Sequence, residues 1–325
     1  MEHLAPEVWT ALTAIVAALA VATVIVIVLV RMRPEQDWGE LVRRVRTWWV
    51  IVGLFVIALL PSPTSAVWFL AFVSFLALKE FLSMTPTRRA DRRVLFYAYA
   101  SIIGQYYFAA TSWYGMFIVF IPVMMFVALP TRMILIGHTE GFLRAAGTLH
   151  WALMVTVFSL SHAAILLVFQ PGDIVTPRLA GEFPSKIGQA FPGPGLLLFL
   201  VLMTELNDIF QYLWGKTLGR RKVAPTVSPG KTYAGFIGGV ATTIVIAMLI
   251  GPRLTLMDWQ RSLIAGAIIA FAGFVGDLCM SALKRDLGIK DFGATLPGHG
   301  GVLDRVDSLV FAAPLFFHFV YYTYG

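Results

Sequence analysis

Apolar residues in this chain neither alternate nor recur on a single helical face. They fill whole stretches, separated by short connectors rich in Arg and Lys. A helix that is apolar all round belongs in a core or in lipid, and roughly 20 such residues cross about 30 Å of hydrocarbon. The pattern predicts ten spans, at 8–30, 47–61, 64–82, 94–111, 113–130, 149–170, 195–214, 234–251, 262–281 and 306–323. The second is short, and Pro61-Ser62-Pro63 after it leaves open a re-entrant hairpin. The expected fold class is all-α, a polytopic transmembrane helical bundle of ten spans with both termini outside.

Composition agrees with that class: 58% of the residues are hydrophobic and 13% charged. Charge placement then tests the span count, because Lys and Arg accumulate in short cytoplasmic loops. With the N-terminus outside, every basic residue but Arg178, Lys186, Arg253 and Arg261 falls in a cytoplasmic loop. A missed span would scramble that partition. The formal charge of +7 thus describes a basic surface facing anionic lipid headgroups and implies no nucleic acid partner. Met1 to Trp9 holds Glu2 and Glu7 and no basic residue, so the first span reads as a retained anchor rather than a cleaved signal. Cys279 is the single cysteine. It can form no intramolecular disulfide and reads as a small buried hydrophobe.

Residues 1–194 read as a membrane scaffold of six spans plus an outside loop, Pro171 to Gly195, rich in Pro and Gly. Residues 195–325 read as a catalytic region of four spans. Arg31 to Thr47 reads as a membrane-surface helix with Trp38, Leu41, Val42 and Val45 on one face and Arg43, Arg44 and Arg46 reaching phosphates. Gly235, Gly238 and Gly239, and again Gly266, Ala270 and Gly273, suit close helix packing. His162 reads as a hydrogen-bonded bundle residue.

Carboxylates inside membrane helices need a partner or a cavity. Glu205 and Asp208 lie late in the seventh span, Asp277 lies late in the ninth, and Asp304 and Asp307 open the tenth. Those ends share one depth at the cytoplasmic surface. Capping of the last helix also accounts for Asp304 and Asp307. Together the five form an oxygen-rich set without Cys or His clusters, which suits Mg²⁺ rather than zinc. Lys216, Lys222, Lys231, Lys284, Lys290 and Arg305 stand among them with Gly298, Gly300 and Gly301. Cations and close-approaching backbone amides of that kind suit a polyphosphate. Gly230-Lys231-Thr232 is no P-loop, since Pro225 occupies the place of its first glycine and no strand is expected before it.

The run from Ser281 to Asp307 resembles the signature of the phosphatidate cytidylyltransferases, or CDP-diacylglycerol synthases. Ser281, Lys284, Arg285, Lys290, Asp291, Gly293, Leu296, Pro297, His299, Gly300, Gly301, Asp304, Arg305 and Asp307 stand at its fixed positions. Upstream, Asp208, Tyr212, Gly215 and Lys216 are similar to a second family motif. Ser228-Pro229-Gly230-Lys231-Thr232-Tyr233-Ala234-Gly235 resembles a third, with Gly230 replacing a lysine and Ala234 an acid.

The resemblance implies transfer of CMP from CTP to phosphatidate, giving CDP-diacylglycerol and pyrophosphate. It implies Asp208 and Asp277 as metal ligands, Asp304 and Asp307 as further ligands or orienters of Arg305, and one or two divalent ions, Mg²⁺ first, with a monovalent second ion admitted. Lys231, Lys284, Arg285, Lys290 and Arg305 would hold phosphates, with Ser228, Thr232, Asp291, Gly300 and Gly301 beside the substrates. His299 would donate to a phosphate or protonate pyrophosphate, and Ser281 would support Asp277. CTP and phosphatidate are the expected partners, a homodimer stays open, and the expected location is the cytoplasmic membrane of a bacterium with the site facing the cytoplasm. The alternatives are a CTP-dependent transferase for another lipid or isoprenoid phosphate or alcohol and, in a different class, a transporter. A transporter would place its acids near mid-membrane on repeated, broken helices.

Overall fold

A computed structural model describes residues 4–85, 88, 91–170 and 193–325. Among them are ten helical rods, which we label α1 (Pro6–Met32), α2 (Gly39–Leu59), α3 (Pro63–Met84), α4 (Arg92–Ala110), α5 (Tyr114–Ile134), α6 (Phe142–Leu166), α7 (Gly193–Leu218), α8 (Tyr233–Leu254), α9 (Trp259–Asp286) and α10 (Leu309–Tyr324). Each matches one expected span. Seven are long and apolar enough to cross a membrane outright, and the chain is an integral membrane protein. Gly39–Leu59 carries Arg43, Arg44 and Arg46 in its first turns, and Leu309–Tyr324 is shorter. The loop expected at Pro171 to Gly195, with Arg178 and Lys186, and Arg89 of the second basic cluster lie outside the described residues, except that Gly193 already opens α7.

Three expectations change. No helix break falls at Thr47: α2 runs unbroken from Gly39, so of the Arg31 to Thr47 stretch read as a surface helix, Arg31 and Met32 end α1 and Gly39 to Thr47 form the first turns of α2. Pro61 to Pro63 joins two full rods, because Pro63 starts α3 and the Ser62 hydroxyl accepts from the Ser65 N–H in a reciprocal cap. A two-stranded antiparallel hairpin, β1 (Lys222–Ala224) with β2 (Ser228–Thr232), stands where a loop was expected and carries Lys231. Pro225 still excludes a P-loop.

The core is one body. α7, α8 and α9 pack closely side by side, with α10 against α9. Gly238 lies under the Trp214 ring and Gly239 against Gln211, and Gly266 meets Ile244 and Ala247, so the small residues do set helix approach. Buried Asn207 ties α7 to α9 by donating to the Ala270 carbonyl at 3.2 Å. Helix α6 bridges the two parts of the chain, packing on α3, α4, α7 and α10. His162 is buried there with Nδ1 2.8 Å from the Phe158 carbonyl, ringed by Phe117, Phe158 and Phe317. Cys279 is free but half-buried, less enclosed than expected.

Candidate active site

The late ends of α7 and α9, the hairpin, and the Leu287 to Ser308 connection meet at one end of the bundle around a cavity of about 970 Å³. That volume lies at the upper end of the range for small-molecule sites. Its lining includes Glu205, Asp208, Lys231, Asp277, Lys284, Lys290, Asp291, His299, Gly300, Arg305 and Asp307. Asp304 also lines it, although its side chain is buried.

Lys231 is the centre of charge. Its Nζ lies 2.5 Å from Asp277 Oδ2 and 4.0 Å from Asp208 Oδ1, and donates to Gln211 Oε1 at 3.1 Å. The other oxygens of both acids are held: Asp277 Oδ1 faces the Ser281 hydroxyl at 3.3 Å and Asp208 Oδ2 the Ser308 hydroxyl at 2.9 Å. Asp208 Oδ1 is buried and accepts no hydrogen bond. Buried acids leave such an oxygen bare only at a cost. Burial, followed by repulsion from Asp277, pushes the Asp307 carboxyl up to about 7 against the pull of Lys284, with Asp208 adding repulsion. Asp307 lies in the connection before α10.

Among the described residues no three acidic, histidine or cysteine side chains stand as a ready ligand group for a metal. The donor chemistry nevertheless fits a hard cation. Asp208 and Asp277 converge on a positive charge, supplied by the Lys231 ammonium, and Asp208 Oδ1 faces that position without a hydrogen bond.

Asp304 departs from the expected cap or ligand. It lies in a single 3₁₀ turn, Leu303–Arg305, and its buried carboxylate is fully engaged. It accepts from Lys284 Nζ at 3.0 Å and from the N–H groups of Phe292 and Gly301 at 2.8 and 3.0 Å. Lys284 is thereby turned toward the connection. Arg285 points away from the cavity and donates to the Val227 carbonyl at 3.2 Å, bracing the hairpin. Thr232 caps α8 by accepting from the Gly235 N–H at 3.0 Å. With Ser228 it lines a smaller cavity next to Asp208 and Lys231. Gly301 is buried beneath the loop.

The loop that carries His299 is held by a residue the sequence did not single out. Glu80, at the end of α3, is buried, and its carboxylate accepts from the Thr295 hydroxyl at 2.6 Å and from the N–H groups of Val302 and Leu303 at 2.9 and 2.8 Å. Gly298 and Gly300 have φ of +79° and +80°, where a Cβ would be strained. The Leu296 N–H closes the turn by donating to the Gly300 carbonyl at 2.8 Å. An acid at the end of an apolar span, paired with no neighbour in sequence, was the available sign.

Burial first, then the charges of Arg305 and Arg44, hold the His299 imidazole below its ordinary value against the Pro297 carbonyl. A lowered imidazole favours the neutral ring, which still carries one N–H to donate. His299→Gln, which keeps an N–H donor, is expected to retain turnover within about tenfold, with an unchanged pH–rate profile from pH 6.5 to 8. A general acid at this position would instead lose roughly 10²–10⁴.

A family model described as the cytidylyltransferase family matches residues 42–323. The chain is 42% identical over 311 residues to the uncharacterized protein YnbB of Escherichia coli, covering 96% of this chain and 97% of that one. It is 30% identical over 276 residues to a phosphatidate cytidylyltransferase of Staphylococcus haemolyticus, covering 84% and 96%. To the phosphatidate cytidylyltransferase of Haemophilus influenzae it is 39% identical over 138 residues, 41% of this chain and 48% of that one.

Proposed function

Because the chain belongs to the cytidylyltransferase family and is a nucleotidyltransferase, we propose that it transfers CMP from CTP to phosphatidate, releasing pyrophosphate and leaving CDP-diacylglycerol in the membrane. The observation that carries the reading is the cavity itself. Carboxylates and cations meet a glycine loop there, at the end of a lipid-embedded bundle, so a soluble polyphosphate and a lipid phosphate can share it.

A phosphate oxygen of the lipid attacks the α-phosphorus of CTP, a new P–O bond forms, and the bond to the β-phosphate oxygen breaks with pyrophosphate leaving. The second ionisation of a phosphate monoester falls near pH 6, so the nucleophile needs no general base. Charge is the obstacle: two unit charges 4 Å apart repel by about 4 kcal/mol at an effective dielectric of 20. Lys290 and Arg305, exposed at the cavity, neutralise the polyphosphate, and His299 donates to it. Asp208 and Asp277, with Asp307 beside them, would hold a divalent cation, Mg²⁺ first. Such an ion adds positive charge at the phosphates. Asp304 and Glu80 keep the loop in shape.

The basic end of the bundle would face the cytoplasm of a bacterium, where CTP is available. One observation favours a second acceptor, another lipid or isoprenoid phosphate. Ala234 stands where the third motif carries an acid. The test is turnover of purified protein in detergent with Mg²⁺ and labelled CTP. Phosphatidate is expected to yield CDP-diacylglycerol and stoichiometric pyrophosphate; product only from an isoprenoid phosphate would transfer the assignment, and none from any lipid phosphate would remove it.

A further inference from the structure

One wall of the cavity comes from the amino-terminal part of the chain. Glu40, Arg44 and Trp48 of α2 line it together with Ile209 and Tyr212 of α7. We propose that this wall is the acceptor subsite: Arg44 binds the phosphate of the lipid, and Trp48, Ile209 and Tyr212 flank its glycerol and first acyl carbons. The proposal rests on the CMP-transfer reading and names where the second substrate sits.

With Lys290 and Arg305 already proposed for the polyphosphate, charge balance among the remaining cavity cations selects Arg44. Lys231 is neutralised by Asp277 at 2.5 Å and Lys284 by buried Asp304 at 3.0 Å. Among the described residues Arg44 forms its one ion pair with Glu40, one turn away, and the two side chains are 53% and 65% exposed. A solvent-exposed pair of that kind is weak, so a phosphate displaces Glu40 at little cost and takes both arms of the guanidinium fork.

Position selects it again. The Thr47 hydroxyl donates to the Pro297 carbonyl at 2.7 Å, and the Trp48 ring meets His299 edge-on at 5.9 Å. This end of α2 is therefore fastened to the loop proposed to face the nucleotide. From Trp48 onward the helix is apolar to Leu59, so Arg44 lies one turn from the switch between headgroup chemistry and hydrocarbon. Ile209 and Tyr212 of α7, which line the same cavity, are exposed although large and apolar. α2 packs on α1 and α3, and α7 on α1, α8 and α9, but α2 and α7 are not among the closely packed pairs. The seam between them is the side from which an amphiphile reaches the cavity.

Two measurements test the subsite separately from the activity. In mixed micelles, Arg44→Gln is expected to raise the KM for phosphatidate by about tenfold or more while leaving the KM for CTP within about twofold, and Arg44→Lys to recover part of the loss. Equilibrium binding of dioctanoyl phosphatidate, read by calorimetry without CTP, should weaken by a similar factor. Glycerol 3-phosphate should bind far more weakly to the wild type. Arg44 is exposed, so unchanged melting in detergent is the control for folding. If KM for CTP rises as much as that for the acceptor, or lipid binding ignores Arg44, the subsite falls even with an active wild type. If glycerol 3-phosphate binds as tightly as the lipid, the apolar wall has no part in it. An inactive wild type that binds dioctanoyl phosphatidate through Arg44 would keep the subsite and overturn the transfer reading.

Discussion

Asp277→Ala is expected to abolish CMP transfer, by on the order of 10³ or more in turnover, while the protein still folds. Asp277 is the acid closest to Lys231, at 2.5 Å, and shares the cation-binding position with Asp208. Its loss removes one of the two carboxylates that would hold the divalent ion and lets the ammonium swing toward Asp208. Removing a single preorganised charge-stabilising group costs about 10²–10³ in comparable sites, and here binding of the divalent ion that Asp277 would help to hold would be weakened with it. The fold tolerates the change because Lys231 keeps Gln211 at 3.1 Å and both side chains retain some exposure. Asp277→Asn separates charge from shape. Turnover of the asparagine variant within tenfold of wild type, at equal melting temperature and saturating Mg²⁺, would refute the role.

Glu80→Gln should lower kcat/KM by about a hundredfold although Glu80 lies outside the cavity. The carboxylate accepts two backbone N–H groups and a hydroxyl, and glutamine offers one acceptor oxygen. Its amide would direct N–H at N–H. Gly293 and Gly301 lie so near the carboxylate that a Cβ at either would collide with it, which leaves the group little room to turn. Each unsatisfied buried N–H costs about 1–3 kcal/mol. The loop is expected to relieve that cost by opening, which displaces His299 and Gly300 from the nucleotide. Hydrogen exchange should then accelerate at residues 293–303 and stay unchanged in α7 and α8. An unaltered exchange pattern with full activity would show that the loop stands without Glu80. A merely structural role would lower the melting temperature without a selective rise in KM for CTP.

Much of the protein was legible along the chain. All ten rods coincide with apolar stretches, since a helix in lipid must satisfy its own backbone and expose only apolar side chains, which makes its signal local and long. The glycines of α8 and α9 were legible for the same reason: close packing needs small side chains at fixed intervals. The boundary of α2 was not, because the three arginines in its first turns mimic a surface helix. Thr47 and Trp48 reveal its true course only by touching Pro297 and His299.

The site divides in the same way. Asp208 and Asp277 were readable because acids in apolar spans are rare and costly. Asp304 and Asp307 look equivalent in sequence, three residues apart, yet Asp304 is used up by Lys284 and two amides while Asp307 lines the cavity, within electrostatic reach of Asp277 and Asp208. Arg285 and Thr232 match the motifs, and the structure shows them bracing the hairpin and capping α8. Glu80 meets Val302 across 222 positions of chain. The sequence alone determined membrane embedding, helix number and the enzyme family, because hydrophobic length and motif spacing are properties of contiguous residues. Only the tertiary structure decided which acid meets which cation, that α2 completes the cavity and that α3 holds its loop, because those pairings depend on how separate helices rotate and pack.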